Sequence, residues 1–368
     1  MNEAGKADKN MASSNDENFE GYRAISAQDD QKVCLLGFGF GVSNGHFYKF
    51  DDAGMKEAEQ ISLSLRWGAK CAAGGQIQFV TDSPSLSIKV SLGTRPDMFN
   101  MSPLGQCGAD CYLLDEKTER FVFFGATKFS TDRSEYVYTF FHHLPKKKRT
   151  ILIYFPLYAE VKEFLIGIES DAEIIPYTEF RKNGRLVFYG SSILQGGCAS
   201  RPGMAYTNIV SRRLRMECLN FGFSGNAFGE SCIANRLAMI ESPAAYVLDY
   251  EPNAIEKGTL KSSLPVFIRI LRERHKQTPV LIVSGTKQSA DYWDEYFCAR
   301  REEAKAFEIE VIEKARRAGD EKIWFLDFGE LFGEEFTEYT VDGIHPTDCG
   351  FMLMADSMTE KLKEIVKR

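Results

Sequence analysis

The sequence has no run of about 18 apolar residues, the length a helix needs to cross a bilayer core, so a transmembrane helix is excluded. Residues 1 to 20 are rich in Asn, Asp, Glu, Lys and Ser and offer no apolar signal-peptide core, which leads to the expectation of a cytoplasmic protein. A basic excess is also missing. The formal charge of −7 argues against a nucleic-acid partner, because phosphate binding needs a basic footprint. Lys146-Lys147-Lys148-Arg149 is the densest basic run and reads as a solvated turn. The nine cysteines are odd in number and scattered from Cys34 to Cys349, which suits a reducing compartment better than a disulfide scaffold. Cys107 and Cys111 lack a second pair at metal-ligand spacing, and His142-His143 lacks a carboxylate at such spacing. No metal and no other cofactor is therefore expected. In Gly37-Phe38-Gly39-Phe40-Gly41 the third glycine of a dinucleotide fingerprint is replaced by Val42. With 12 Pro, 44% hydrophobic and 26% charged residues, the composition is that of a soluble globular protein.

At 368 residues the chain exceeds the span of one hydrophobic core, so two domains are expected. Residues 1–27 read as a polar, poorly structured N-terminus. Residues 28–176 carry short apolar runs that often alternate, as in Ser85 to Leu92, Glu119 to Phe124, Tyr136 to Phe141 and Val161 to Ile168. Period-two alternation with turns between marks antiparallel strands, and an antiparallel, jelly-roll-like β-sandwich is predicted. Ser62-Leu63-Ser64-Leu65-Arg66 is read as one of those strands. Residues 184–368 change pattern, with strand-like runs at Leu186–Tyr189, Cys218–Phe221, Tyr246–Leu248, Val280–Val283 and Ile323–Leu326 alternating with helical stretches. Such repeats imply a parallel sheet covered on both faces, a three-layer α/β/α domain with ligands beyond the carboxyl ends of its strands.

Candidate chemistry falls at those strand ends. Ser192 follows the first strand in Tyr189-Gly190-Ser191-Ser192, placed to expose its hydroxyl and aim its own N–H at a site, although an ordinary strand-end turn reads the same way. Gly225, in Asn220-Phe221-Gly222-Phe223-Ser224-Gly225, follows the second and is either an N–H donor or part of a glycine-rich connection. Asn253 follows the third in Asp249-Tyr250-Glu251-Pro252-Asn253, as an amide donor to developing negative charge or as a turn residue. Near the C-terminus, Asp342-Gly343-Ile344-His345-Pro346 puts a carboxylate three residues before a histidine. That carboxylate can reach the imidazole Nδ1 and leave Nε2 to accept a proton. Gln195, Arg201, Tyr292 and Trp293 are candidates for lining the site, the last two by stacking on a sugar.

With these blocks in order, residues 184–368 resemble the SGNH, or GDSL-type, hydrolases. The resemblance implies a flavodoxin-like domain in which Ser192, His345 and Asp342 act as nucleophile, base and acid. Ser192, Gly225 and Asn253 would form the oxyanion hole. Two departures stand out: Ser191 replaces the usual aspartate, and Asp249 to Asn253 replaces the commoner Gly-x-Asn-Asp block. Gly108-Ala109-Asp110-Cys111-Tyr112 resembles the Gly-x-Asp-Leu-Tyr motif of β-sandwich domains that precede certain bacterial members. A structural hydrogen bond is the expected role of Asp110 and Tyr112. The two-domain plan is also similar to that of carbohydrate esterase family two, so the expected function is removal of acetyl groups from sugars or oligosaccharides. A lipase, thioesterase or small-lipid acetylhydrolase is the alternative, and a non-catalytic carbohydrate-binding protein a third. The partner expected is a small-molecule or oligosaccharide ester, with no nucleic acid and no membrane; a homo-oligomer is compatible with the sequence.

Overall fold

The structure, a computed structural model, describes Asp8, Ala12 and residues 18–42 and 45–366. Most of the stretch expected to be poorly structured, 1–27, lies outside the described residues. Its last part departs from the expectation, because Arg23–Ser26 forms a strand, β1. The chain divides into two compact units that interleave along the sequence. The first runs to Asp51, resumes over Lys70–Glu179 and takes in Ser200–Gly203; the second holds Asp52–Ala69, Phe180–Ala199 and the chain from Met204 onward.

In the first unit β1 is followed by β2 (Cys34–Leu36), β3 (Gln76–Thr81), β4 (Leu86–Leu92), β5 (Asp110–Asp115) and β6 (Arg120–Ala126). Then come β7 (Glu135–Phe141), β8 (Arg149–Tyr154), β9 (Val161–Ile168) and β10 (Ile174–Pro176). They pair antiparallel in two sheets, ordered β1-β9-β4-β7 and β10-β3-β8-β5-β6, with β2 also on β3. Leu86, Ile88, Val90 and Leu92 alternate with polar residues along β4 and turn inward. They share one core with Ile77 and Phe79 of β3, Ile151 and Ile153 of β8, and Phe164, Ile166 and Ile168 of β9. Side chains of both sheets filling one core make this unit the expected sandwich.

The second unit contains β11 (Arg185–Gly190), β12 (Glu217–Gly222), β13 (Pro243–Asp249), β14 (Val280–Ser284) and β15 (Ile323–Asp327). All pair parallel in the order β12-β11-β13-β14-β15. Their near-continuous apolar runs follow from burial on both faces. Helices Tyr206–Leu214 and Asp348–Val366 pack together, and Ser231–Leu237 packs with Leu260–Arg274, as right-handed crossovers reversing at β11 require. That reversal opens a crevice at the carboxyl end of β11, where such sheets bind ligands. Ser62–Arg66 is not a strand, as its alternation suggested: the Ser62 hydroxyl accepts from Leu65 N at 3.0 Å and starts the helix Leu63–Lys70.

Candidate active site

Glycine builds the turn that carries Ser192. A Cβ on Gly190 would lie 2.1 Å from the Asp249 carbonyl oxygen. Its absence lets Ser191 N donate to that carbonyl at 3.2 Å, after which the chain turns into the short helix Ser192–Gln195. Ser191 caps this helix, its hydroxyl accepting from Ile193 N at 3.3 Å. Serine and aspartate are both strong N-caps, so the departure at this position preserves the turn.

The glycine block is moored to the same turn. Asn220 donates through Nδ2 to the Leu194 carbonyl at 2.8 Å and to the Thr207 hydroxyl at 3.0 Å, while its Oδ1 accepts from Gly222 N at 2.9 Å. Gln195 is fully buried, and its Oε1 accepts from Ser224 N at 3.1 Å. The expectation that Gln195 lines the site mouth is thereby corrected: it braces the glycine block from beneath. Gly225 has φ +65° and open space where a Cβ would be, so its backbone is accessible. Asn253 occupies the first turn of the helix Glu251–Lys257, and its Oδ1 accepts from Ala227 N at 3.4 Å. With the oxygen engaged, the amide NH₂ is the end left to donate.

Asp342 and His345 share one loop. Thr340 and Pro346 form an antiparallel bridge and Val341 N donates to the His345 carbonyl at 2.8 Å, closing a loop whose tip is Gly343 at φ +87°. The Asp342 carboxylate accepts from Ile344 N at 3.1 Å and His345 N at 2.8 Å through Oδ1, and lies 2.8 Å from His345 Nδ1 through Oδ2. His345 Nε2 is 2.8 Å from Ser192 Oγ, across 153 positions of sequence. A carboxylate on Nδ1 selects the tautomer in which Nδ1 carries the proton and Nε2 accepts from the serine hydroxyl. Together the three side chains form a continuous hydrogen-bonded relay from Ser192 through His345 to Asp342.

Residues 183–363 match the GDSL-like lipase/acylhydrolase family. Residues 26–174 match the GxDLY family, the N-terminus of SGNH-hydrolase-type esterases. The chain thus joins a GxDLY-type N-terminal region to a GDSL-like lipase/acylhydrolase region. It is accordingly an ester hydrolase by class. No curated protein matches it. A GDSL-like lipase, so named, from Bacteroides ovatus is similar at 27% identity over 94% of this chain and 98% of that one, with a TM-score of 0.83. The fold is shared at lower identity by a salicylyl-acyltransferase from a tetracycline biosynthetic pathway, at 18% identity, coverage of 94% and 98%, and TM-score 0.75. A family two carbohydrate esterase from Cellvibrio japonicus shares it at 11% identity, the same coverage, and TM-score 0.61.

Around the relay of this GDSL-like hydrolase, the remaining candidates separate. Ser289 N donates to the Gly343 carbonyl at 2.8 Å, which ties the helix Ser289–Trp293 to the loop of Asp342 and His345. On that helix Tyr292 and Trp293 are 63% and 82% exposed and meet edge to face, with ring centroids 4.9 Å apart. A cavity of about 320 Å³ lies alongside, lined by Pro252, Ile255, Thr286, Gln288 and Ile344 among others. Arg201 is placed otherwise than expected. It belongs to the first unit, donating to Asp110 Oδ2 at 2.7 Å and to the Tyr112 hydroxyl, with its guanidinium 3.9 Å above the Phe123 ring. Through Nη1 it is thus bonded to both the aspartate and the tyrosine of the Gly-x-Asp-x-Tyr motif. Asp110, fully buried, also accepts from Gly203 N at 3.1 and 2.9 Å. The motif therefore clamps residues 201–203.

Three groups were not foreseen. Cys198 has φ +71°, and its Sγ, a carboxylate oxygen of Asp342 and an imidazole nitrogen of His345 all lie within 4.8 Å of one another. Burial, then the Asp342 charge, pushes its thiol up to about 12. The only signal in sequence was its place directly after Gly196-Gly197, six residues past Ser192. Asp249 and Glu251, beneath the asparagine block, are buried carboxyls pushed up by burial to about 8 and about 7. Asp249 accepts from the Tyr206 hydroxyl at 2.6 Å, and Glu251 from Gly285 N at 2.7 Å.

Proposed function

We propose that the protein is a serine O-acetylesterase of acetylated sugars or oligosaccharides, working through an acyl-enzyme. The observation that carries this reading is the pair of 2.8 Å contacts from Ser192 Oγ through His345 to Asp342. Ser192 Oγ attacks the ester carbonyl as its proton passes to His345 Nε2, and Asp342 stabilises the imidazolium that forms. The imidazolium then protonates the departing alcohol, and a water activated by the same nitrogen releases acetate. The N–H groups of Ser192 and Gly225 and the Asn253 amide receive the oxyanion. One such donor contributes about 10²- to 10³-fold in rate.

Two features support a sugar as the alcohol. The exposed Tyr292 and Trp293 rings stand on a helix bonded to the acid–base loop, where an aromatic face can stack on a pyranose. The family two carbohydrate esterase has the same fold. Released acetate from acetylated xylan, mannan and sialic-acid substrates, with p-nitrophenyl esters of increasing chain length, tests the reading. Activity should fall steeply from acetyl to butyryl to octanoyl; a rise with chain length would move the assignment to a lipase or thioesterase. Ser192→Ala and His345→Ala should each reduce turnover by about 10⁶ and Asn253→Ala by about 10² to 10³. Substantial activity left in Ser192→Ala would refute the mechanism.

A further inference from the structure

We infer that Cys198, Asp342 and His345 form a binding site for a thiophilic divalent cation of the zinc type, and that an ion held there switches the hydrolase off. The donor set, one thiol, one imidazole and one carboxylate, is a combination that zinc takes in proteins. Around tetrahedral zinc such ligand atoms stand roughly 3.3 to 3.6 Å apart. Here they already lie within 4.8 Å of one another, so closing the site needs displacements on the order of 1 Å. Among the described residues no other group of three such side chains converges in this way.

The backbone holds the thiol in place. Cys198 has φ +71°, a left-handed conformation that disfavours any residue with a Cβ. It is flanked by Gly197 N donating to the Ser192 carbonyl at 2.8 Å and Ala199 N donating to the Gly196 carbonyl at 3.1 Å. The sulfur therefore hangs from the same turn as the nucleophile, although the proposed ester chemistry makes no use of it. As the S–Zn bond forms, the thiol proton leaves to solvent. The imidazole binds as the neutral ring through one nitrogen lone pair, keeping its single proton on the other, and the carboxylate binds through one oxygen. Water completes the tetrahedron. Asp342 and His345 are then spent on the ion, and Ser192 loses its base.

The inhibitory half of this inference rests on the ester reading, whereas the metal half does not. The test uses the full chain with zinc chloride and cobalt chloride as probes. Zinc should inhibit hydrolysis of p-nitrophenyl acetate reversibly, with recovery on adding a chelator. Cys198→Ala and the closer-sized Cys198→Ser should retain activity without metal and need about 10- to 100-fold more zinc for half inhibition. Cobalt should give the wild type a thiolate-to-cobalt charge-transfer band that both variants lack. Zinc sensitivity unchanged in both variants, or a cobalt band that survives in both, overturns the site. Failure to hydrolyse any ester offered would defeat the functional reading alone, because the cobalt band is read without turnover.

Discussion

A β-carbon at position 190 would sit 2.1 Å from a main-chain oxygen of the neighbouring strand, and backbone cannot swing aside as a side chain can. Gly190→Ala should therefore destabilise the protein by about 3 kcal/mol, measured by urea unfolding, with loss of activity as the turn carrying Ser192 shifts. An unchanged midpoint would mean that the turn is softer than its contacts indicate. At this scale the sequence was informative wherever chemistry and spacing coincided. Asp342 and His345 are three residues apart, and no long-range contact is needed to see that they can bond. Gln195 was misread because proximity in sequence to Ser192 says nothing about direction: fully buried, it points down under the glycine block.

At the scale of elements, the Gly-x-Asp-x-Tyr motif at the start of β5 is a clamp. Asp110 is fully buried and takes the Arg201 guanidinium at 2.7 Å together with Gly203 N. Asp110→Ala leaves a largely buried cation without its partner and should cost about 3 to 5 kcal/mol. Calorimetry checks this, and a change below about 1 kcal/mol would show that Tyr112 and Phe123 hold the arginine alone. The strands and helices of the second unit were legible because their apolar runs are long and their periods distinct. Residues 62–66 were not, since five residues fit period two and period 3.6 equally. What decided them was the Ser62 hydroxyl on Leu65 N together with the burial of Leu65 against exposed Leu63, facts that only the folded chain supplies.

For the whole molecule, the buried carboxyls set a pH dependence. In the unfolded chain Asp249 ionises near the ordinary value of about 4, whereas in the fold burial holds its proton up to about 8. The folded state thus binds an extra proton between these values. Its stability contribution is full at low pH and falls as pH rises through that window. Glu251, pushed up to about 7, acts in the same direction over a narrower range. Asp249→Asn keeps an oxygen to accept from Tyr206 and should flatten the decline in melting temperature between pH 5 and 8.5; a wild-type curve that rises across this range would contradict the assignment. The division into two folds was legible from the change in hydrophobic period near residue 180. Its interleaving was not, because membership of Asp52–Ala69 and Ser200–Gly203 is decided by contacts far apart in sequence.

The loop carrying Asp342 and His345 is closed by its own bonds: a bridge from Thr340 to Pro346, two N–H groups on the aspartate, and a glycine at its tip. None of these bonds involves Ser192. On the proposed mechanism, removing the serine hydroxyl takes away the attacking atom and leaves its receiving apparatus assembled. A Ser192→Ala protein is on these grounds a faithful trap. An intact ester bound to it would meet the same donors and the same imidazole, and would stay uncleaved long enough for its alcohol to be identified directly.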